Sequence, residues 1–219
     1  FDGFVYDLST EDGTFCVLPH DDEVITMKNT DSVYVRWVDT TMEEAFRLSD
    51  EAAAFATARF PTPIMLEFEK VMCPLALYTK KRYSYQMWTR PDLPEARIQH
   101  IGTQVIRRDT CAFVREMLGH VLDLILKERK TEEALAYTRK SIHALFDGSV
   151  DFQKLTITRS YKDNYVNNNI PHVKLAQRLR ERNDCDMVRP GERIAFVLVE
   201  SGDGLETPSF ARTNGMTLD

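Results

Sequence analysis

Two apolar, alternating runs constrain this chain most. Residues 64–71 read IMLEFEKV and residues 75–88 read LALYTKKRYSYQMW. Side chains alternate across a strand, and β-branched and aromatic residues suit a pleated, half-buried surface. Both runs therefore read as strands of one antiparallel sheet. A third alternating run, VYVRWV at 33–38, reads as another strand. Next comes MEEAFRLSDEAAAFATARF at 42–60, rich in Ala and Glu, with Thr40 or Thr41 able to cap it and Pro61 and Pro63 able to end it. Pro91 and Pro94 mark a surface turn. QHIGTQVIRRD at 99–109 reads as a short strand closing into a loop.

The pattern changes from Thr110. Residues 111–129 and 131–146 have helical spacing, with Thr131 as an N-cap and Gly148 after the second helix. PHVKLAQRLRER at 171–182 is a third helix with proline at its start, and RIAFVLVE at 193–200 is a late strand. The polar tail from Gly202 reads as loose. The order is a mixed first half and a mainly helical second half, an α+β chain without repeats.

Charge is uneven along the chain. The net charge is −6, but residues 1–29 carry seven acidic residues and one lysine, so they account for all of it. Residues 70–108 carry eight basic residues against Asp92 and Glu95. Such a basic zone fits a surface that follows a phosphate backbone, or simply a solvated charged face. No apolar run reaches the ~20 residues of a membrane span, and the N-terminus lacks the form of a secretory signal. The absence of an initiator Met suggests a processed or trimmed start. Cys16, Cys73, Cys111 and Cys185 are widely spaced and offer no zinc-ligand pattern, as expected of reduced intracellular thiols.

Four ordered segments carry a resemblance. Thr30-Asp31-Ser32 precedes the 33–38 strand. LEFEKVMCPLALYTKKRY at 66–83 resembles the stretch of family B DNA polymerases in which Leu-Glu-x-Glu-Lys leads to Lys-Lys-Arg-Tyr. GTQVIRRDTCAFV at 102–114 resembles the Gly-x-x-x-Val-Arg-Arg-Asp turn into their thumb. KLTITRSYKDNY, PHVKLAQRLRER and PGERIAFVLVE then follow the thumb order of the delta-like and large-DNA-virus members. The resemblance implies an antiparallel palm-sheet fragment with a packed helix over 30–109 and a mainly helical thumb over 110–219. It implies template-directed nucleotidyl transfer, with primer-template DNA and a dNTP as partners and Mg²⁺ as cofactor. It implies an intracellular site, with a nucleus and a viral replication site both open.

In that family Asp-Thr-Asp-Ser sits at a palm hairpin. Two Mg²⁺ ions about 4 Å apart activate the primer hydroxyl and stabilise the leaving pyrophosphate. Hard cations of this kind need several carboxylate oxygens. Asp31 matches the second carboxylate and is the expected metal ligand. The other palm carboxylate, the triphosphate-binding lysine and the exonuclease motifs have no match here, so the chain by itself is expected not to polymerise. Lys80, Lys81, Arg82 and Tyr83 are expected on the duplex near the primer end. If they lie on a strand, Lys81 and Tyr83 share one face and Lys80 and Arg82 the other. Arg107 and Arg108 are expected on the primer backbone, with Asp109 orienting an arginine through a paired contact. His172 and Lys174 match the start of a thumb helix and fit either a phosphate contact or a structural role.

Asn29 stands where the first aspartate of the motif belongs. One reading is a mutated, inactive polymerase, acting as a duplex-DNA-binding or interaction module. The other rests on FDGFVYDLSTEDGTFCV at 1–17, which resembles the C-terminal region of an intein. Inteins end in Asn before Ser, Thr or Cys, as Asn29-Thr30 does. Thr30 Oγ would take the upstream acyl group as an ester. The Asn29 side-chain amide would then attack its own carbonyl, breaking the Asn29–Thr30 bond and leaving a succinimide. An oxygen-to-nitrogen acyl shift would restore the peptide, and an upstream Asp would regenerate Asp-Thr-Asp-Ser. On this reading residues 1–29 are a short, acidic, poorly anchored β segment of a split intein. The N-terminal polymerase and intein partner chain would find it through opposite charge. Lys28 replaces the usual penultimate His, and Gly13-Thr14 stand where another His is usual; no spacing argument supports His20 as its substitute.

Overall fold

The computed structural model describes residues 4–9, 32–162, 164–165, 170–183, 186–200 and 204–216. Asn29, Thr30 and Asp31 lie outside the described residues, as do Lys28 and His20. The fold is α+β, as the two halves of the sequence imply. It divides into two compact units. The first takes residues 1–103 and 122–131, and the second takes 104–121 and 132–219.

The first unit is an antiparallel sheet in the order β2-β1-β4-β5-β6, with β3 also paired to β1. The strands are β1 (Phe4–Ser9), β2 (Ser32–Val33), β3 (Arg36–Trp37), β4 (Glu67–Thr79), β5 (Arg82–Arg90) and β6 (Leu93–Ile101). β1 is hydrogen-bonded on both sides. Leu8 lies opposite Val33 in β2 and Phe68 in β4, and Val5 lies opposite Arg36 in β3 and Met72 in β4. The expectation of a poorly anchored segment therefore fails for these six residues. Their backbone groups are paired on both edges, which is the cheapest way to satisfy them.

Helix α1 (Met42–Thr57) starts at Thr41, which forms a capping box. The Glu44 N–H donates to Thr41 Oγ1 at 3.2 Å, and the Thr41 N–H donates to the Glu44 carboxylate at 2.9 Å. The Thr41 donors hold the Glu44 carboxyl below its usual range. Ala45, Ser49 and Ala53 form the buried line of the helix, at a spacing of four. These small side chains join a core of Val33, Val35, Leu66 and Val71, with Trp37, Phe46 and Phe68 at its margin. The opposite parity of the same strands builds a second core, of Tyr34, Met72 and Tyr85. Val71 and Met72 are consecutive and both fully buried, so β4 is covered on its two faces.

The second unit begins with helix α2 (Ala112–Leu122), which runs on into a π-helical turn at Asp123–Lys127 that belongs to the first unit. The helix expected to run through residue 129 thus changes its winding after Leu122. Helix α3 (Thr131–Phe146) ends in a Schellman motif. Gly148 takes φ +72°, its N–H donates to the Leu145 carbonyl, and the Ser149 N–H donates to that of Ala144. After a 3₁₀ turn at Phe152–Leu155 come β7 (Ile157–Ser160), α4 (Pro171–Glu181), β8 (Arg193–Leu198), β9 (Leu205–Glu206) and α5 (Pro208–Thr213). β7, β8 and β9 make a small antiparallel sheet in that order. Val173, Leu175, Ala176 and Leu179 of α4 pack with Ile194, Phe196 and Leu205.

The tail expected to be loose from Gly202 is ordered over 204–216. Leu205, Glu206, Thr207 and Ala211 are buried. Arg182 grips Glu206 with two hydrogen bonds of 2.8 and 3.2 Å, and Arg178 lies 3.4 Å from the same carboxylate. A buried carboxylate paired in this way supports the fold, because losing a partner would strand a charge.

Candidate nucleic-acid interface

The Lys80-Lys81 pair is not on a strand. It forms the two-residue turn of the β4–β5 hairpin, with Thr79 opposite Arg82. Lys81 adopts φ +62°, a left-handed conformation that normally selects glycine or asparagine. The strand alternation expected for Lys80–Tyr83 is therefore corrected: only Arg82 and Tyr83 belong to β5. Gly102 explains how the turn is held. A Cβ on Gly102 would lie 2.1 Å from the Lys81 carbonyl oxygen, and Gly102 itself has φ +60°. Only a residue without a side chain allows the end of β6 to pass so close.

Lys80, Lys81 and Arg82 are exposed. Tyr83 turns inward. The Tyr34 hydroxyl donates to that of Tyr83 at 2.9 Å, with the rings edge-on at 6.1 Å, and Tyr83 stacks on Tyr85 at 5.8 Å. Tyr34 lies between β2 and β3, since the run expected as one strand at 33–38 forms two short ones, and it meets the Lys-Lys-Arg-Tyr hairpin through two hydroxyls. Beneath the hairpin, Ser84 is fully buried with its hydroxyl 2.9 Å from His100 Nδ1. Burial lowers the His100 pKa, an effect opposed by the charge of Asp123.

The second basic segment lies in the second unit. Arg107 donates to both Asp109 oxygens, from Nε at 2.8 Å and Nη2 at 2.6 Å. This fork holds the Asp109 carboxyl down at about 2, and it raises Arg107 further. Arg159 Nη1 stands 3.6 Å from the same carboxylate. Arg108 differs. Its side chain is exposed and its guanidinium has no partner among the described residues. Its carbonyl is held instead, by the Thr158 hydroxyl at 2.9 Å and by Arg193 Nη2 at 3.2 Å.

His172 is half-buried. Its Nε2 lies 3.3 Å from the Tyr165 hydroxyl, which also donates to the Ser160 carbonyl at 3.1 Å. Burial, then the charge of Arg159, lowers its pKa. This is a structural tie between the end of β7 and the start of α4. Lys174 is also half-buried.

Sequence reasoning missed Tyr34, Thr158, Arg159 and Arg193. Tyr34 lies in the alternating 33–38 run and the other three in the KLTITRSYKDNY and PGERIAFVLVE segments, but none stands beside the motif it supports, so nothing in the sequence singles them out. For Mg²⁺, the described residues offer no group of three or more His, Cys, Asp or Glu side chains that could hold a metal ion. No described helix is long and apolar enough to cross a membrane.

Comparison with known proteins gives the family. The DNA polymerase family B model matches residues 25–218. The DNA polymerase delta catalytic subunit of Candida albicans is 34% identical over 206 residues, covering 92% of this chain and 20% of the relative. That of Schizosaccharomyces pombe is 33% identical over 204 residues, covering 90% and 19%. That of Glycine max is 34% identical over 209 residues, covering 91% and 19%. The chain spans about a fifth of the length of these curated relatives. The match takes in the hairpin, the Arg-Arg-Asp turn and the small sheet that holds it, and the chain belongs to DNA polymerase family B.

Proposed function

We propose that this chain forms the palm end and thumb of a DNA-directed DNA polymerase and grips the primer-template duplex through Lys80–Tyr83 and Arg107–Asp109. The observation that carries this reading is the Arg-Arg-Asp turn. One arginine is spent on Asp109, and the exposed guanidinium of the other is left for a phosphate. The palm is proposed over 30–109 and the thumb over 110–219. Nucleotidyl transfer to a primer, with its dNTP, needs the parts that relatives carry outside the matched fifth. Asp31 is the residue of this chain proposed to hold Mg²⁺ there, where the ion supplies activation of the primer hydroxyl. As a replication enzyme the assembled protein works inside the cell.

Binding of a labelled primer-template to the 219-residue chain tests the duplex reading. Lys81→Ala and Arg108→Ala should each weaken binding and flatten the dependence of log affinity on log salt by about one unit. Unchanged affinity in both variants would refute it.

A second reading concerns Asn29. Splicing at Asn29-Thr30 would remove residues 1–29 and restore an Asp-Thr-Asp-Ser motif, and Val5-Tyr6-Asp7-Leu8 favours it. The family match from residue 25 favours the other view, in which Asn29 replaces a palm carboxylate. The two views make different demands on one residue. With an upstream partner chain present, splicing predicts loss of the mass of residues 1–29, and Asn29→Ala abolishes that loss. A replaced carboxylate predicts no mass change, and Asn29→Asp increases Mg²⁺-dependent primer extension in the assembled enzyme.

A further inference from the structure

Among the basic residues around the Arg-Arg-Asp turn, Arg193 is spent most completely. It is the first residue of β8 and lies opposite Ser160, the last of β7. Thr158 and Ser160 share one face of β7, because residues two apart on a strand point the same way. Arg193 lies along that face. Nε donates to Thr158 Oγ1 at 3.2 Å, and Nη1 donates to Ser160 Oγ at 3.1 Å. Nη2 reaches the Thr158 carbonyl at 2.8 Å and the Arg108 carbonyl at 3.2 Å. The Thr158 hydroxyl donates to the same Arg108 carbonyl at 2.9 Å.

Every partner of this guanidinium is a neutral oxygen. Its nitrogens are all occupied, and among the described residues no carboxylate pairs with it. Arg193 is thus poorly placed to bind phosphate and well placed to hold backbone. The peptide it holds is that of Arg108, whose own guanidinium is exposed and unpartnered.

We propose that Arg193 is a positioning residue: with Thr158 as its bridge, it clamps the Arg108 carbonyl and so aims the Arg108 side chain at the duplex backbone. The inference rests on the duplex-binding reading above. The planar fork is what the role requires. A lysine keeps the charge but cannot reach the Thr158 hydroxyl, the Ser160 hydroxyl and two carbonyls together.

The test is a mutant cycle on the 219-residue chain, with a fluorescein-labelled primer-template of recessed 3′ end and a NaCl series. Arg108→Ala should weaken binding about tenfold and lower the salt slope by about one. Arg193→Ala and Arg193→Lys should each weaken it about fivefold, and in the Arg108→Ala background Arg193→Ala should cost less than about twofold more. Wild-type affinity in Arg193→Lys would overturn the proposal, since a point charge would then suffice. So would an Arg193→Ala loss that adds in full to that of Arg108→Ala. Arg108→Ala without effect would overturn the clamp, and with Lys81→Ala also silent it would overturn the duplex reading as well, whereas additivity alone overturns only the clamp. If Arg193→Ala does not fold, Thr158→Val removes the bridging hydroxyl with little change of shape. It should weaken binding about threefold in the wild-type background and be silent beside Arg108→Ala; additivity there refutes the clamp.

Discussion

The two basic segments hold their charges in opposite ways. The Lys80-Lys81 hairpin in the first unit holds its backbone tightly and leaves its charges loose. The Arg-Arg-Asp turn in the second unit ties down one charge completely and anchors the peptide of the other. Lysines on a tight turn are point charges whose strongly hydrated heads suit contacts that slide and release. An arginine held by a carboxylate fork has a fixed direction. The difference teaches that net positive charge is a poor guide to which charges a basic surface leaves available; the scaffolding around each charge decides it.

The largest expected effect is on the hairpin. Gly102→Ala puts a methyl on the Lys81 carbonyl and forces alanine to φ +60°. It should destabilise the first unit by about 2–4 kcal/mol, read from denaturant unfolding. A loss below about 0.5 kcal/mol would mean that the hairpin yields and is not held there.

The turn is tested by removing its acid. Charge alone predicts that Asp109→Ala tightens duplex binding, since a negative group is lost. The fork predicts the reverse, about fivefold weaker binding, because the Arg107–Asp109 tie that spans Arg108 is lost and the turn presenting Arg108 loosens. Equal or tighter binding would erase the contrast between the two segments.

Lys81→Gly separates stability from binding in one residue. Glycine relieves the left-handed conformation, so the protein should gain about 0.5–1 kcal/mol while the salt slope falls by about one. A loss of stability would show that Lys81 makes a contact worth more than its strain.

The smallest effect is in acid. The Asp109 pKa is about 2 when folded, below the ordinary carboxylate value. Its contribution is therefore present above about pH 4 and is lost as pH falls through that range toward 2. The stability difference between wild type and Asp109→Asn should shrink over that window and not above it. The hairpin turn has no acid of its own, so Lys81→Gly should show no such dependence.

Much of the fold was legible because its signals are local. Thr40 or Thr41 reads as a helix cap, Gly148 as a helix end, and the alternation at 33–38 as extended chain; the Glu44 half of the capping box and the two cores came from the structure. The hairpin at Lys80-Lys81 was not legible, because lysine carries no turn chemistry. Its left-handed residue is accommodated by Gly102, about twenty positions on in the chain. The ordered tail was hidden for a similar reason. Its composition is polar, and Glu206 is buried only because Arg178 and Arg182 of α4 meet it.

The Asp109 fork, the cap of α1 and the alternation of β4 depend on neighbours in the chain, and the sequence by itself determined them. The clamp on Arg108 depends on Arg193, 85 positions away. The meeting of Tyr34 with Tyr83 spans 49. Only the tertiary structure decided these contacts. A hydrogen bond has the same short reach whatever the separation in sequence, and only the packing of strands and helices brings such partners within it.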